Sequence, residues 1–277
     1  MGKIKHIEVG EFEGGSILFN TGKGLEHVMF KPSETTSNDA VVYSFGYAGL
    51  PGFRLGMEMG SFFGERGVPV AVVMYDGLNL QSFFDYVGVK LSANLPQDDS
   101  QYSFLENIEK IKRVREEVGE GKRVHVAGHS YGVALSLVTL EEGVASFIAI
   151  NPVYRFGQIY RDFVHDEDGG IDGLMRGGIS DGVIIGDAEK LVEEVGIILP
   201  EEYDGKRIQF PGRVGVFQGE EDYDSIRRAA ELLYNGASGN NRSLVYLTGV
   251  GHEIGEAKDR ESLFLEIANS LGCSQKR

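Results

Sequence analysis

Short apolar and β-branched runs recur along the chain and mark eight predicted strands, at 3–9, 26–30, 40–47, 68–75, 123–127, 146–151, 214–218 and 243–248. The run VPVAVVMY at 68–75 is almost continuously apolar, as expected for a strand covered on both faces. Between the later runs the period changes to that of a helix. The clearest case is 103–118, where Phe104, Ile108, Ile111, Arg115 and Val118 share a face and Gly119 and Gly121 follow the last turn. Further helices are predicted after Ser130, from about Ser225, and over 257–271. Strands alternating with helices predict βαβ units around a buried, mostly parallel sheet.

Two stretches break the alternation. Residues 78–100 form a long connection, and 155–212 separates two strands by far more than an ordinary loop. The second is expected to be an inserted cap, with a helix at 187–195, over a core made of 1–154 and 213–277. Its 13 acidic and 6 basic residues carry about half of the net charge. A cap of that sign over a site would disfavour polyanionic substrates.

The chain has 42 acidic and 27 basic side chains among 277 residues, a net charge of -15. Such a surface repels a polyanion, so nucleic acid is not an expected partner. Cys273 is the single cysteine, which excludes an intramolecular disulfide and suits a reducing compartment. No apolar leader opens the sequence and no run approaches 18 apolar residues, so a cytoplasmic protein without a membrane span is expected. His6 stands where a myristoylation signal needs Ser or Thr after Gly2.

Glycine is abundant, at 39 residues, which makes every glycine-based motif cheaper by chance. The glycine-rich stretch 46–60 lacks both the dinucleotide and the phosphate-loop patterns, so no nucleotide cofactor is expected. His125 and His129 are four apart but span a strand and a turn, and no cysteine cluster exists, so no metal is expected either. Phe62, Phe63, Phe83, Phe84 and Tyr86 could line a substrate pocket, with core packing the commoner use.

Gly-x-Ser-x-Gly occurs twice, as Gly128-His129-Ser130-Tyr131-Gly132 and as Gly178-Ile179-Ser180-Asp181-Gly182. Context separates them. Ser130 follows the strand-like RVHVA and precedes the helix-compatible VALSLVTL, the strand, turn and helix that a nucleophile elbow requires. Ser180 has no strand before it and reads as a loop serine within the cap. Further on, VGVFQ leads into Gly219-Glu220-Glu221-Asp222, and SLVYLTG leads into Val250-Gly251-His252, with a helix after it.

In these motifs and their order the sequence resembles the α/β-hydrolase superfamily, over about 220 residues. The resemblance implies an α/β-hydrolase fold, a mostly parallel eight-stranded sheet flanked by helices and carrying the cap. It also implies Ser130 as nucleophile, His252 as general base and Asp222 as the acid that orients it, with Glu220, Glu221 and Asp224 as close competitors of Asp222. Backbone N–H groups of Tyr131 and Tyr47 would form the oxyanion hole. Phe45 stands where members often carry His, and Asp76-Gly77 matches the family's Asp-x-x-Gly loop only loosely. His6, His27, His125, His129 and His165 all fit the base position less well.

The function so implied is a serine hydrolase acting on an ester, thioester or related carbonyl compound, with a small neutral or weakly charged substrate. The same framework also serves carbon–carbon bond hydrolases and aminopeptidases, and a ligand-binding protein could retain the fold. Serine at position 130, in place of aspartate, speaks against alkyl-enzyme chemistry.

Overall fold

The computed structural model describes residues 5–22, 25–47, 49–88, 101–140, 143–154, 187, 190–191, 193–194, 210–238 and 241–272. Three strands, β1 (Lys5–Phe12), β2 (Gly15–Gly22) and β3 (Leu25–Pro32), form an antiparallel meander at one edge of the sheet. The chain then alternates through β4 (Asp39–Ser44), α1 (Leu50–Gly64), β5 (Val70–Val73), α2 (Leu80–Tyr86), α3 (Phe104–Val118), β6 (Arg123–His129), α4 (Gly132–Leu137) and β7 (Val144–Ile150). It closes with β8 (Arg213–Gly219), α5 (Asp224–Gly236), β9 (Arg242–Leu247) and α6 (Ala257–Leu271).

The strand order is β1-β2-β3-β5-β4-β6-β7-β8-β9, with β5, β4, β6, β7, β8 and β9 mutually parallel and β3 antiparallel to β5. The sheet therefore has nine strands where the hydrophobic runs predict eight. The added strand is β2, which returns from β1 through Gly14 in the left-handed conformation at φ 89°. Ser16, Asn20 and Thr21 break up its apolar run, yet Ile17 and Phe19 alternate into the core.

β4 is flanked by β5 on one side and β6 on the other, so the strand order reverses there. A crevice outside the C-terminal strand ends at such a reversal is where open α/β sheets place ligands. Of the predicted 155–212 cap, Ser180, His165 and all but a few positions lie outside the described residues. Two of those few dock on the core. Leu191 is fully buried, and the Glu194 carboxylate accepts from Ser103 Oγ at 3.0 Å and from the Phe104 N–H at 2.7 Å, at the start of α3.

α1 occupies most of the glycine-rich stretch, where the hydrophobic pattern predicts no helix. Gly52, Gly56, Gly60 and Gly64 recur every fourth residue and so share one helical face. A Cβ on Gly56 would stand 2.6 Å from the Tyr43 ring, one on Gly60 2.2 Å from the Phe30 ring, and one on Gly64 2.6 Å from the Phe12 ring. The missing side chains let the helix rest directly on sheet aromatics. Helix propensity alone makes Gly60→Ala stabilising by about 1 kcal/mol. Packing against the immobile Phe30 ring reverses this, and we expect a net loss of roughly 1 kcal/mol or more, read as a lower urea midpoint.

A polar line crosses the meander. His6 Nδ1 lies 2.6 Å from Asn20 Oδ1, and Asn20 Nδ2 donates to His27 Nε2 at 2.8 Å. His27 is fully buried, and burial, with smaller contributions from His6 and Lys110, lowers its pKa to about 4 from 6.5. The unfolded chain therefore binds this proton first as pH falls. Stability is intact above pH 6.5 and is lost between 6.5 and about 4, by up to about 3 kcal/mol for this group. Urea midpoints measured across this window should fall in the wild type and fall less in His27→Gln; equal slopes would refute the assignment.

Candidate active site

The sequence at 128–132 is dictated by crowding. β6 ends at the sheet centre, and the chain must turn sharply into α4 beneath the end of β4. A Cβ on Gly128 would meet the Gly132 carbonyl oxygen at 2.6 Å, and one on Gly132 would meet the Ser44 and Phe45 carbonyl oxygens at 2.1 and 2.7 Å. Ser130, at the apex, has φ 53°, a conformation that costs a non-glycine residue about 1–3 kcal/mol. Three backbone hydrogen bonds hold it: Ser130 N–H to the Ile150 carbonyl at 2.9 Å, and the N–H groups of Val133 and Val153 to the Ser130 carbonyl, each at 3.1 Å.

Ser130 Oγ lies 2.9 Å from His252 Nε2, and His252 Nδ1 lies 3.1 Å from each Asp222 carboxylate oxygen. A carboxylate only accepts, so Nδ1 carries the hydrogen and Nε2 offers its lone pair to the hydroxyl. The Asp222 side chain is fully buried while that of His252 is about 21% exposed, so the line runs from interior to surface. The carboxylate also accepts from Gln218 Nε2 at 3.0 Å and from the Tyr223 N–H at 2.7 Å. Among its sequence competitors, Asp224 is exposed and pairs with Arg227.

The loop after β4 passes directly over Ser130. A Cβ on Gly46 would stand 3.2 Å from Ser130 Cβ, 3.4 Å from Oγ and 3.6 Å from the Tyr131 nitrogen. Phe45 is fully buried, with its ring 4.9 Å from Tyr75, 5.5 Å from Phe83 and 5.7 Å from Phe53. Its carbonyl accepts from the Tyr75 hydroxyl at 2.9 Å. Aromatic packing thus anchors a loop whose next residue, Gly46, faces the serine. Tyr47 and Tyr131 are themselves buried, packing on Phe104 with ring centroids 5.7 and 4.6 Å away.

Sequence reasoning missed two side chains that serve this assembly. Asn151, at φ 43°, accepts from the Gly219 N–H at 2.8 Å and donates to the Gly251 and His252 carbonyls at 3.1 and 2.7 Å. Gln218 holds the Asp222 carboxylate, as above. The one available signal was an asparagine before Pro152 at the end of a strand, a place where a polar residue with positive φ is unusual. Below the His252 loop, buried Arg260 of α6 donates to the Ile254 and Gly255 carbonyls and pairs with Glu58 of α1.

Phe63, Phe83 and Phe84 are fully buried core residues, so they do not line an open pocket. No group of His, Cys, Asp and Glu able to hold a metal ion occurs among the described residues, and none of their helices is long and apolar enough to cross a membrane.

No known family profile matches the chain, and no curated protein matches it in sequence. Solved structures do match in shape. One is a soluble variant of monoglyceride lipase from Saccharomyces cerevisiae, at TM-score 0.62 and 12% identity over 98% of this chain and 96% of that one. A monoacylglycerol lipase from Paleococcus ferrophilus matches at TM-score 0.57 and 14% identity, over 99% of this chain and all of that one. An esterase domain from a Rhodothermus marinus protein matches at TM-score 0.57 and 14% identity, over 97% of each. With the sheet order above, these likenesses establish that the chain has the α/β-hydrolase fold.

Proposed function

We propose that this protein is a serine hydrolase that cleaves an ester, thioester or related carbonyl substrate through an acyl-enzyme. The observation that carries the reading is the hydrogen-bonded line from Ser130 Oγ through His252 to Asp222, at the strand-order reversal of the sheet. Ser130 Oγ attacks the carbonyl carbon while His252 Nε2 takes the hydroxyl proton, and Asp222 stabilises the imidazolium. The carbonyl electron pair moves onto oxygen, where the Tyr131 and Tyr47 N–H groups would receive the oxyanion. Collapse expels the alcohol or thiol, which takes the proton from His252. Water then repeats the sequence on the acyl-enzyme and frees the acid.

The solved structures of similar shape include two named as monoglyceride or monoacylglycerol lipases and one as an esterase domain, which supports carbonyl hydrolysis over other uses of the fold. The net charge of -15 favours a neutral or weakly charged substrate.

A fluorophosphonate probe should label the wild type at Ser130 and leave Ser130→Ala unlabelled. Asp222→Asn, which disturbs the tautomer while keeping the shape, should slow labelling by roughly 10³-fold or more. On a panel of esters, neutral acyl donors should turn over faster than polyanionic ones. Absence of wild-type labelling, or equal labelling of Ser130→Ala, would overturn the reading.

A further inference from the structure

The carbonyl oxygen of His252 receives two side-chain donors. Asn151 Nδ2 approaches it at 2.7 Å from the end of β7, and His129 Nε2 at 3.2 Å from the elbow itself. A carbonyl cannot donate, so His129 must carry its hydrogen on Nε2. Its other nitrogen, Nδ1, is buried against Gly52, where an added Cβ would stand 2.9 Å away, and has no hydrogen-bond partner among the described residues. Both side chains act on the main chain of His252.

Resting on the hydrolase reading above, we infer that His129 and Asn151 form a two-donor clamp on the His252 carbonyl that sets the position of the imidazole against Ser130. The clamp ties the loop bearing the base to the two strand ends beside the nucleophile. His129 follows every displacement of the elbow because it is the residue before Ser130. Asn151 adds a third connection, since its Oδ1 accepts from Gly219, at the start of the segment that carries Asp222. One side chain therefore links the base loop to the acid loop, and a neighbouring one links the base loop to the nucleophile. Asn is suited to position 151 twice over: it has a donor and an acceptor on one amide, and it tolerates the observed φ of 43° better than most residues.

The clamp works with His129 in a single neutral tautomer. The His129 and His252 rings lie 5.7 Å apart, 34° from parallel, with Asp222 beyond them. Burial and then the proximity of His252 lower the His129 pKa to about 3, against the opposing effects of its hydrogen bond to the His252 carbonyl and of Asp222. Two adjacent histidines thus divide their duties. One has a carboxylate behind it and faces the serine, and the other stays uncharged and holds a carbonyl.

Two measurements on the full-length protein test the clamp. First, the second-order rate of labelling by a fluorophosphonate is followed against pH for wild type, His129→Phe, His129→Gln and Asn151→Asp, with folding checked by circular dichroism and thermal melting. A reacting group displaced by about 1 Å can cost about 10²-fold, so His129→Phe should lower the plateau rate by roughly tenfold or more. His129→Gln, whose Nε2 can restore the donor, should recover most of it. Asn151→Asp keeps the acceptor for Gly219 but sets a carboxylate against two carbonyls; it should lower the plateau and move the acid limb to higher pH. A folded His129→Phe labelled within twofold of wild type, or a His129→Gln no faster than His129→Phe, overturns the clamp. Absence of wild-type labelling instead removes the hydrolase reading, and the clamp with it.

Second, imidazole nitrogen–proton correlation spectra of the ¹⁵N-labelled protein should show His129, assigned by its loss in His129→Gln, as an Nε2–H neutral ring from pH 5 to 9. An Nδ1–H tautomer, or titration within that range, overturns the clamp whatever the activity.

Discussion

Everything at the site depends on one close approach, that of the turn at 130–132 to the carbonyl groups ending β4. With Gly132 Cα packed against the Ser44 and Phe45 carbonyls, no side chain fits between the elbow and the neighbouring strand. That contact forces Ser130 into its positive φ, lifts its hydroxyl above the sheet edge and brings Gly46 over it. The strain is local, and the parallel ladder from β5 to β9 over-determines it. A side chain at Gly46 or Gly132 would push Ser130 away from the loop that faces it.

The same logic of absent side chains governs α1. Its four glycines form a smooth face against Phe12, Phe30, Tyr43 and His129, and this close seat carries Glu58 to Arg260, whose guanidinium holds the loop after His252. Glycine spacing at one helix is thereby coupled to the placement of a residue about 200 positions away, because the two helices meet over the sheet. Fold and site share one steric solution.

How much of this could be read from residues alone follows from the range of the cause. β4, β5 and β7 were legible because burial makes them almost continuously apolar, and α3 and α6 because their charged and apolar positions keep a helical period. The elbow was legible because its constraint is local: two glycines and a serine are needed within five residues, with strand before and helix after. Asp222 and His252 came from the resemblance of their loops to the family's motifs, and the structure sets His252 against Ser130 and Asp222 against His252. β2 and α1 were missed since polar residues and glycines hide periods that only tertiary contact explains. Asn151, Gln218 and the use of His129 were missed for a related reason. Asn151 acts on partners 68 and 101 residues away, and His129 on one 123 away, and no local spacing records such meetings.

A second set of the same three residue types shows that composition is not what makes the site. Toward the opposite end of the sheet, His125 Nδ1 lies 2.7 Å from Ser146 Oγ and its Nε2 lies 3.0 Å from Asp39, so a serine, a histidine and an aspartate again form a continuous line. All three are buried. Ser146 lies within β7 and His125 within β6. Asp39 is engaged by Arg123 and Ser37 as well, and although burial opposes ionisation, those hydrogen bonds and the one to His125 bring its pKa down to about 2. This line is a satisfied polar seam between adjacent strands. What separates Ser130 from Ser146 is backbone: a residue lifted by a strained turn, opposite a glycine, with His252 mounted on a loop at the surface. The same three residue types take different settings according to where the chain is made to bend.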